Sequence, residues 1–105
     1  MAVSDSVMSA VRSHLEITWE SEVTDERLEL IVKKVSPHLA SRLSYESTHE
    51  FTDADGAAFG LFLDACFYEF NHAIDDFWEN YKTNIDACRM LIVVGDLDGD
   101  SDAEG

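Results

Sequence analysis

Positive charge is scarce in this 105-residue chain, which sets three lysines and four arginines against 22 carboxylates for a formal net charge of −15 at pH 7. Such a surface repels phosphate, and seven scattered cations cannot build the basic patch with which a direct DNA or RNA binder neutralises the backbone. Anionic membrane surfaces are disfavoured for the same reason. Long apolar runs are missing as well. The longest, Ala57 to Leu63 and Met90 to Val94, fall far short of the ~18 residues of a membrane span, and residues 1–12 lack a cationic stretch followed by an apolar one. Neither secretion nor membrane insertion is expected. The two cysteines, Cys66 and Cys88, sit in helical patterns rather than at framework spacing, which reads as free, buried thiols in a reducing compartment. Twelve of the acids are Asp, a balance that suits a halophilic source as well as an acidic interaction protein.

What remains is a chain that is 46% hydrophobic, too apolar to be disordered throughout and long enough for one core but not two. No segment alternates over six residues, and four apolar stripes run at helical spacing, so the sequence predicts an all-α bundle of about four helices near 5–15, 25–41, 53–74 and 76–92. Val7, Val11 and Leu15 make the first stripe. Leu28, Ile31, Val32, Val35, Leu39 and Leu43 make the second, with Thr24 as its N-cap, a Glu29–Lys33 pair along it, and a kink or early end at Pro37. Residues 44–51 read as a polar loop. Thr52, with Asp55 three residues on, caps the third helix. From Ala57 to Phe70 that helix is apolar around most of its circumference, so part of its cover is expected from other subunits.

Asp75, Asp76 and Glu79 form a second capping signal, marking a bend or a new helix, after which Phe77, Tyr81, Ile85 and Cys88 share a face. Met90 to Val94 fits either the last helical turns or a short strand, and Gly95 is read as its stop. The organisation is then a helical domain over 1–95 and an acidic, flexible tail over 96–105, which holds five acids and one large apolar side chain.

Candidate chemistry is thin, and no enzyme, metal or cofactor is expected. Asp96-Leu-Asp-Gly-Asp100 opens like a calcium loop, but Ser101 stands where an EF-hand needs Gly and the bidentate Glu would lie beyond residue 105. Asp53-Ala-Asp-Gly56 fails likewise. Glu46 with His49 and Glu69 with His72 repeat the Glu-x-x-His spacing of di-iron bundles, yet the first pair falls in a loop and the partner glutamates are missing. Cys66, Cys88, His14 and His38 lack close zinc-ligand pairing. Cys66 and His72 are turned about 240° apart around a helix, which separates a would-be nucleophile from its base. There is no Gly-rich phosphate loop and no Ser elbow. Aromatic side chains are the remaining signal. Trp19, Phe70, Phe77, Trp78 and Tyr81 are candidates for a subunit or partner interface, although packing within one core is the simpler reading of the cluster from Tyr68 to Tyr81.

The segment Val11-Arg-Ser-His-Leu-Glu-Ile-Thr-Trp-Glu20, then Thr24-Asp-Glu-Arg-Leu-Glu-Leu-Ile31, then Ala73-Ile-Asp-Asp-Phe-Trp-Glu-Asn-Tyr81 resembles the head-tail connector (adaptor, or head-completion) proteins of long-tailed bacteriophages. Pro37 and the acidic tail depart from that pattern. The resemblance implies a mostly helical, non-catalytic virion protein, assembled in the host cytoplasm and residing at the neck. Its partners would be the portal protein, a downstream head-completion or tail protein, and further copies of itself in a homo-oligomeric ring, twelve-fold to match the portal. DNA would pass through this ring without being specifically bound. The alternative, from composition alone, is a small acidic binding module or DNA mimic acting on a basic partner.

Overall fold

A computed structural model describes the backbone of residues 5–19 and 21–102, and their side chains as far as Val94. The fold is all-α. Helices α1 (Asp5–His14), α2 (Glu22–Arg42), α3 (Ala57–Phe70), α4 (Ile74–Asn80) and α5 (Lys82–Asp102) follow in order, with a single 3-10 turn, Asp53–Asp55, ahead of α3. The described residues contain no strand, so Met90 to Val94 is helical.

α3 is the hub, and α1, α2, α4, α5 and the 3-10 turn all pack on it. Ala58, Leu61, Phe62, Ala65 and Cys66 are buried along it, while Phe59 and Leu63 pack against the core from its edge. Much of the wide apolar surface is therefore covered from within the chain, while Phe59, Leu63, Tyr68 and Phe70 stay half-buried and Phe67 is exposed. Leu28, Ile31, Val32, Val35 and Leu39 of α2 close the core from one side, Val7 and Val11 of α1 from another, and Phe77, Ile85 and Cys88 from below. Each fully buried Leu or Phe contributes ~1.5–3 kcal/mol through removal from water. α2 runs unbroken past Pro37, which sits on the exposed face between the buried Val35 and Leu39. Packing on both sides outweighs the ~3 kcal/mol that a mid-helix proline costs.

Three helices end on the same device. Glu16, Ser44 and His72 adopt left-handed φ of 59°, 66° and 58°, just past α1, α2 and α3. In each case the next amide reaches back to a carbonyl in the last turn: Ile17 to Arg12 at 2.9 Å, Tyr45 to Ala40 at 2.9 Å, and Ala73 to Tyr68 at 2.8 Å. These are Schellman closures built without glycine. The one at His72 ends α3 at Phe70, so α4 is a new helix rather than a bend in a long one. Tyr81 separates α4 from α5, giving five helices where four stripes were read. Ile85 still donates to the Tyr81 carbonyl at 2.8 Å across that joint.

Two start signals shift. The N-cap of α2 is Ser21, whose Oγ accepts from the Thr24 amide at 3.4 Å, so Thr24 lies inside the first turn. Thr52 and Asp55 do close on each other, Thr52 N donating to Asp55 Oδ2 at 2.9 Å, but they brace the 3-10 turn. Gly56, at φ 61°, then admits the chain to α3. The supposedly polar loop carries a buried anchor, Phe51, stacked on Phe62 at 5.3 Å.

α5 continues past Gly95 to Asp102. A helix stop was expected at Gly95, but a glycine inside a helix costs only ~1 kcal/mol and does not force an end. Of the tail expected to be flexible, residues 103–105 lie outside the described residues. The long α5 gives the molecule principal extents of 51 × 28 × 21 Å and a radius of gyration of 14.8 Å, above the ~13 Å of a compact chain this long.

Candidate functional site

The five aromatic candidates do not form one patch. Trp19 stands at the far side, 52% exposed, on the loop between α1 and α2. Its indole N–H donates to Thr24 Oγ1 at 3.1 Å, and its carbonyl accepts from Arg12, which also forms an ion pair with Asp25. The Ile-Thr-Trp segment is thus held at both ends, with Ile17 buried and Trp19 presented outward. Phe70, at the end of α3, lies under the Arg27 guanidinium at 4.2 Å, and Arg27 also donates to the Phe70 carbonyl at 2.5 Å.

Phe77 and Trp78 of α4 and Tyr81 at its C-terminal end do come together. Phe77 is fully buried and stacks on Tyr81 at 4.6 Å, with Tyr68 at 5.6 Å. It belongs to the core and presents nothing to a partner. Trp78 is half-buried beside it, with the Arg42 guanidinium over its ring at 4.6 Å and His38 edge-on at 5.6 Å. Asp64 of α3 lies 2.8 Å from His14 Nε2 of α1, and its charge acts on the Tyr81 phenol. Partial burial, then the Asp64 charge and Tyr68, push the Tyr81 pKa up to about 12.

Neither thiol is primed for chemistry. Burial, and next the Glu69 charge, drive the Cys66 pKa upward, and burial raises that of Cys88, so both stay protonated at neutral pH. Both cysteines are free and buried. Of the two Glu-x-x-His pairs, Glu69 is engaged by Lys34 at 3.3 Å and His72 lies 3.5 Å from Arg27, while His49 meets Asp55 at 3.2 Å and stacks on Tyr45. Among the described residues no group of three His, Cys, Asp or Glu gathers as a metal would require, and no helix is long and apolar enough to cross a membrane.

Two surface features were not read from the sequence. The first is a cleft of about 240 Å³ between α2 and α5, floored by Ile85 and lined by Arg42, Lys82, Arg89 and Asp86. Arg89 Nε also donates to Ser44 Oγ at 3.0 Å. Three of the chain's seven cations meet there, Lys82 and Arg89 from two turns of α5 and Arg42 from α2, 40 residues before Lys82. The second is the outer half of α5, where, among the described side chains, Met90, Leu91, Val93 and Val94 are exposed while Ile92 packs on the core. The sequence signal was present in the apolar run itself, but its exposure depends on where the body ends. No protein-family model, curated protein or solved structure matches this chain.

Proposed function

We propose that this protein is a head-tail connector subunit, a structural virion component that forms a ring beneath a portal vertex, extends its DNA channel and docks the next head-completion or tail protein. The observation that carries the reading is the outer half of α5. A chain whose five-helix body covers its own core nevertheless leaves Met90, Leu91, Val93 and Val94 uncovered on a projecting helix, as expected of a subunit completed by assembly. The resemblance of the Ile17-Thr-Trp19 and Ala73–Tyr81 segments supplies the identity of that assembly, and the two segments lie one at the α1–α2 joint and one as α4 with its junction to α5.

Charge supports the same role. A phosphate passing a fixed cation at contact distance is held by ~1 kcal/mol even in water-like dielectric, and a ring multiplies that term, whereas carboxylates keep a duplex centred and mobile within a Debye length of roughly 8 Å. The test is co-assembly with a portal protein from the same source, viewed by electron microscopy. A ring of this protein stacked under the portal, and a null mutant that accumulates unjoined heads and tails, are the expected results. A null mutant that still yields infectious tailed particles would overturn the proposal, and a monomer that instead inhibits a DNA-binding enzyme would identify the acidic mimic.

A further inference from the structure

We propose that the basic cleft between α2 and α5 receives the acidic end of α5 from a neighbouring copy of this chain, which makes the subunit contact directional. The inference rests on the self-assembly proposed above and names the surfaces that perform it.

The cleft is an electrostatic exception. Arg42, Lys82 and Arg89 face a single carboxylate, Asp86, in a protein where acids outnumber bases 22 to 7. Elsewhere the cations are engaged: Arg12 with Asp25, Lys33 with Glu29, Lys34 with Glu69, and Arg27 with the Phe70 carbonyl. Among the described residues none of the cleft's three cations forms an ion pair. Arg42 lies over Trp78 and Arg89 donates to Ser44, contacts that fix these two charges in direction without neutralising them.

The occupant is chosen by the other end of the same helix. The sequence sets Asp at positions 96, 98, 100 and 102 in the last turns of α5. The helix dipole already places negative potential at a C-terminus, so acids there are unfavourable until a cation approaches. Positions 98 and 100 lie about 15 Å along the helix axis from Arg89, at 1.5 Å per residue, two to three turns beyond the chain's own cleft. A second copy has the same cleft and no such constraint. Between the acids and the body lie Met90, Leu91, Val93 and Val94, which such a contact would also bring against the neighbour. One docking event therefore answers the uncompensated cations, the acids at the wrong helix end and the uncovered apolar turns. Because donor and acceptor surfaces differ, the contact is heterologous, the kind that closes into rings.

The test is titration of a synthetic peptide of residues 95–105 onto full-length protein carrying Trp19→Phe, with Asn replacing Asp at 96, 98, 100 and 102 so that its own tail does not compete. Trp78 fluorescence is the readout, since Trp78 lies against Arg42. Saturable binding is expected, weakened at least tenfold by Lys82→Glu with Arg89→Glu, by Asn-for-Asp peptide, and by raising salt from 50 to 500 mM. A Lys-for-Asp peptide should bind the reversed cleft, and circular dichroism should show the exposed variants folded. Binding of the Asn peptide equal to that of the Asp peptide would overturn the inference, as would free glutamate or inorganic phosphate producing the same response, which would make the cleft a small-anion site. A chain that assembles while the peptide fails to bind would refute this contact and leave the connector proposal standing. Peptide binding by a chain that never assembles would do the reverse.

Discussion

The body of the molecule and the outer half of α5 are built from the same kinds of side chain and meet opposite fates. In the body, α3 is apolar around most of its girth, yet α1, α2, α4 and the inner turns of α5 surround it and leave Phe67 as its one exposed large apolar residue. In the outer half of α5, a shorter apolar run leaves Met90, Leu91, Val93 and Val94 exposed, and among the described residues Ile92 is its contact with the core. Apolar width in a sequence therefore measures the need for cover, and topology decides whether the chain supplies it.

The contrast breaks first at the core. Phe77→Ala should cost ~3–5 kcal/mol, since it removes a fully buried ring stacked on Tyr81. That corresponds to a fall in melting temperature of roughly 12 °C or more, measured by calorimetry. Alkali probes the joint between the two regions. The Tyr81 pKa is raised from 10.0 to about 12 in the folded chain, so the folded state retains a proton that the unfolded state releases. Its contribution is complete below pH 10 and is lost as pH rises towards 12. Chemical denaturation should show this decline, and Tyr81→Phe should flatten it.

A smaller effect of opposite sign is expected at α1's closing turn. Glu16 holds φ 59° with no side-chain role in the core, and Glu16→Gly should raise stability by ~0.5–1 kcal/mol, because a non-glycine residue in this region costs ~1–2 kcal/mol and glycine's extra chain entropy returns part of it. Least of all should happen in the outer half of α5. Leu91→Ser with Val94→Ser should leave unfolding free energy within ~0.5 kcal/mol, since exposed positions carry little folding energy.

Periodicity was enough to recover the helical class, the buried stripe from Leu28 to Leu39 and the shared face of Phe77, Ile85 and Cys88, because each is a local pattern imposed by one buried side. The helix ends were harder to read. Glycine is the usual marker of a left-handed close, and here Glu16, Ser44 and His72 take that conformation, so nothing in their chemistry announced the stop at Phe70. Phe51 looked like part of a polar loop because its partner, Phe62, is eleven residues away on another element. The basic cleft was invisible for a related reason. Lys82 and Arg89 share α5, but Arg42 joins them only when α5 lies across α2. As for the aromatic candidates, spacing identified Phe77, Trp78 and Tyr81 as a group but could not separate the buried Phe77 from the half-buried Trp78.

Mass photometry of the full-length protein over a range of micromolar concentrations tests the central claim most directly, that the outer half of α5 is a surface completed by assembly. The account predicts discrete multimers for the wild-type chain that are lost in the Leu91→Ser, Val94→Ser variant, with the far-UV circular dichroism of the two indistinguishable. A wild-type chain that remains monomeric throughout, or a variant that assembles as readily as the wild type, would contradict it.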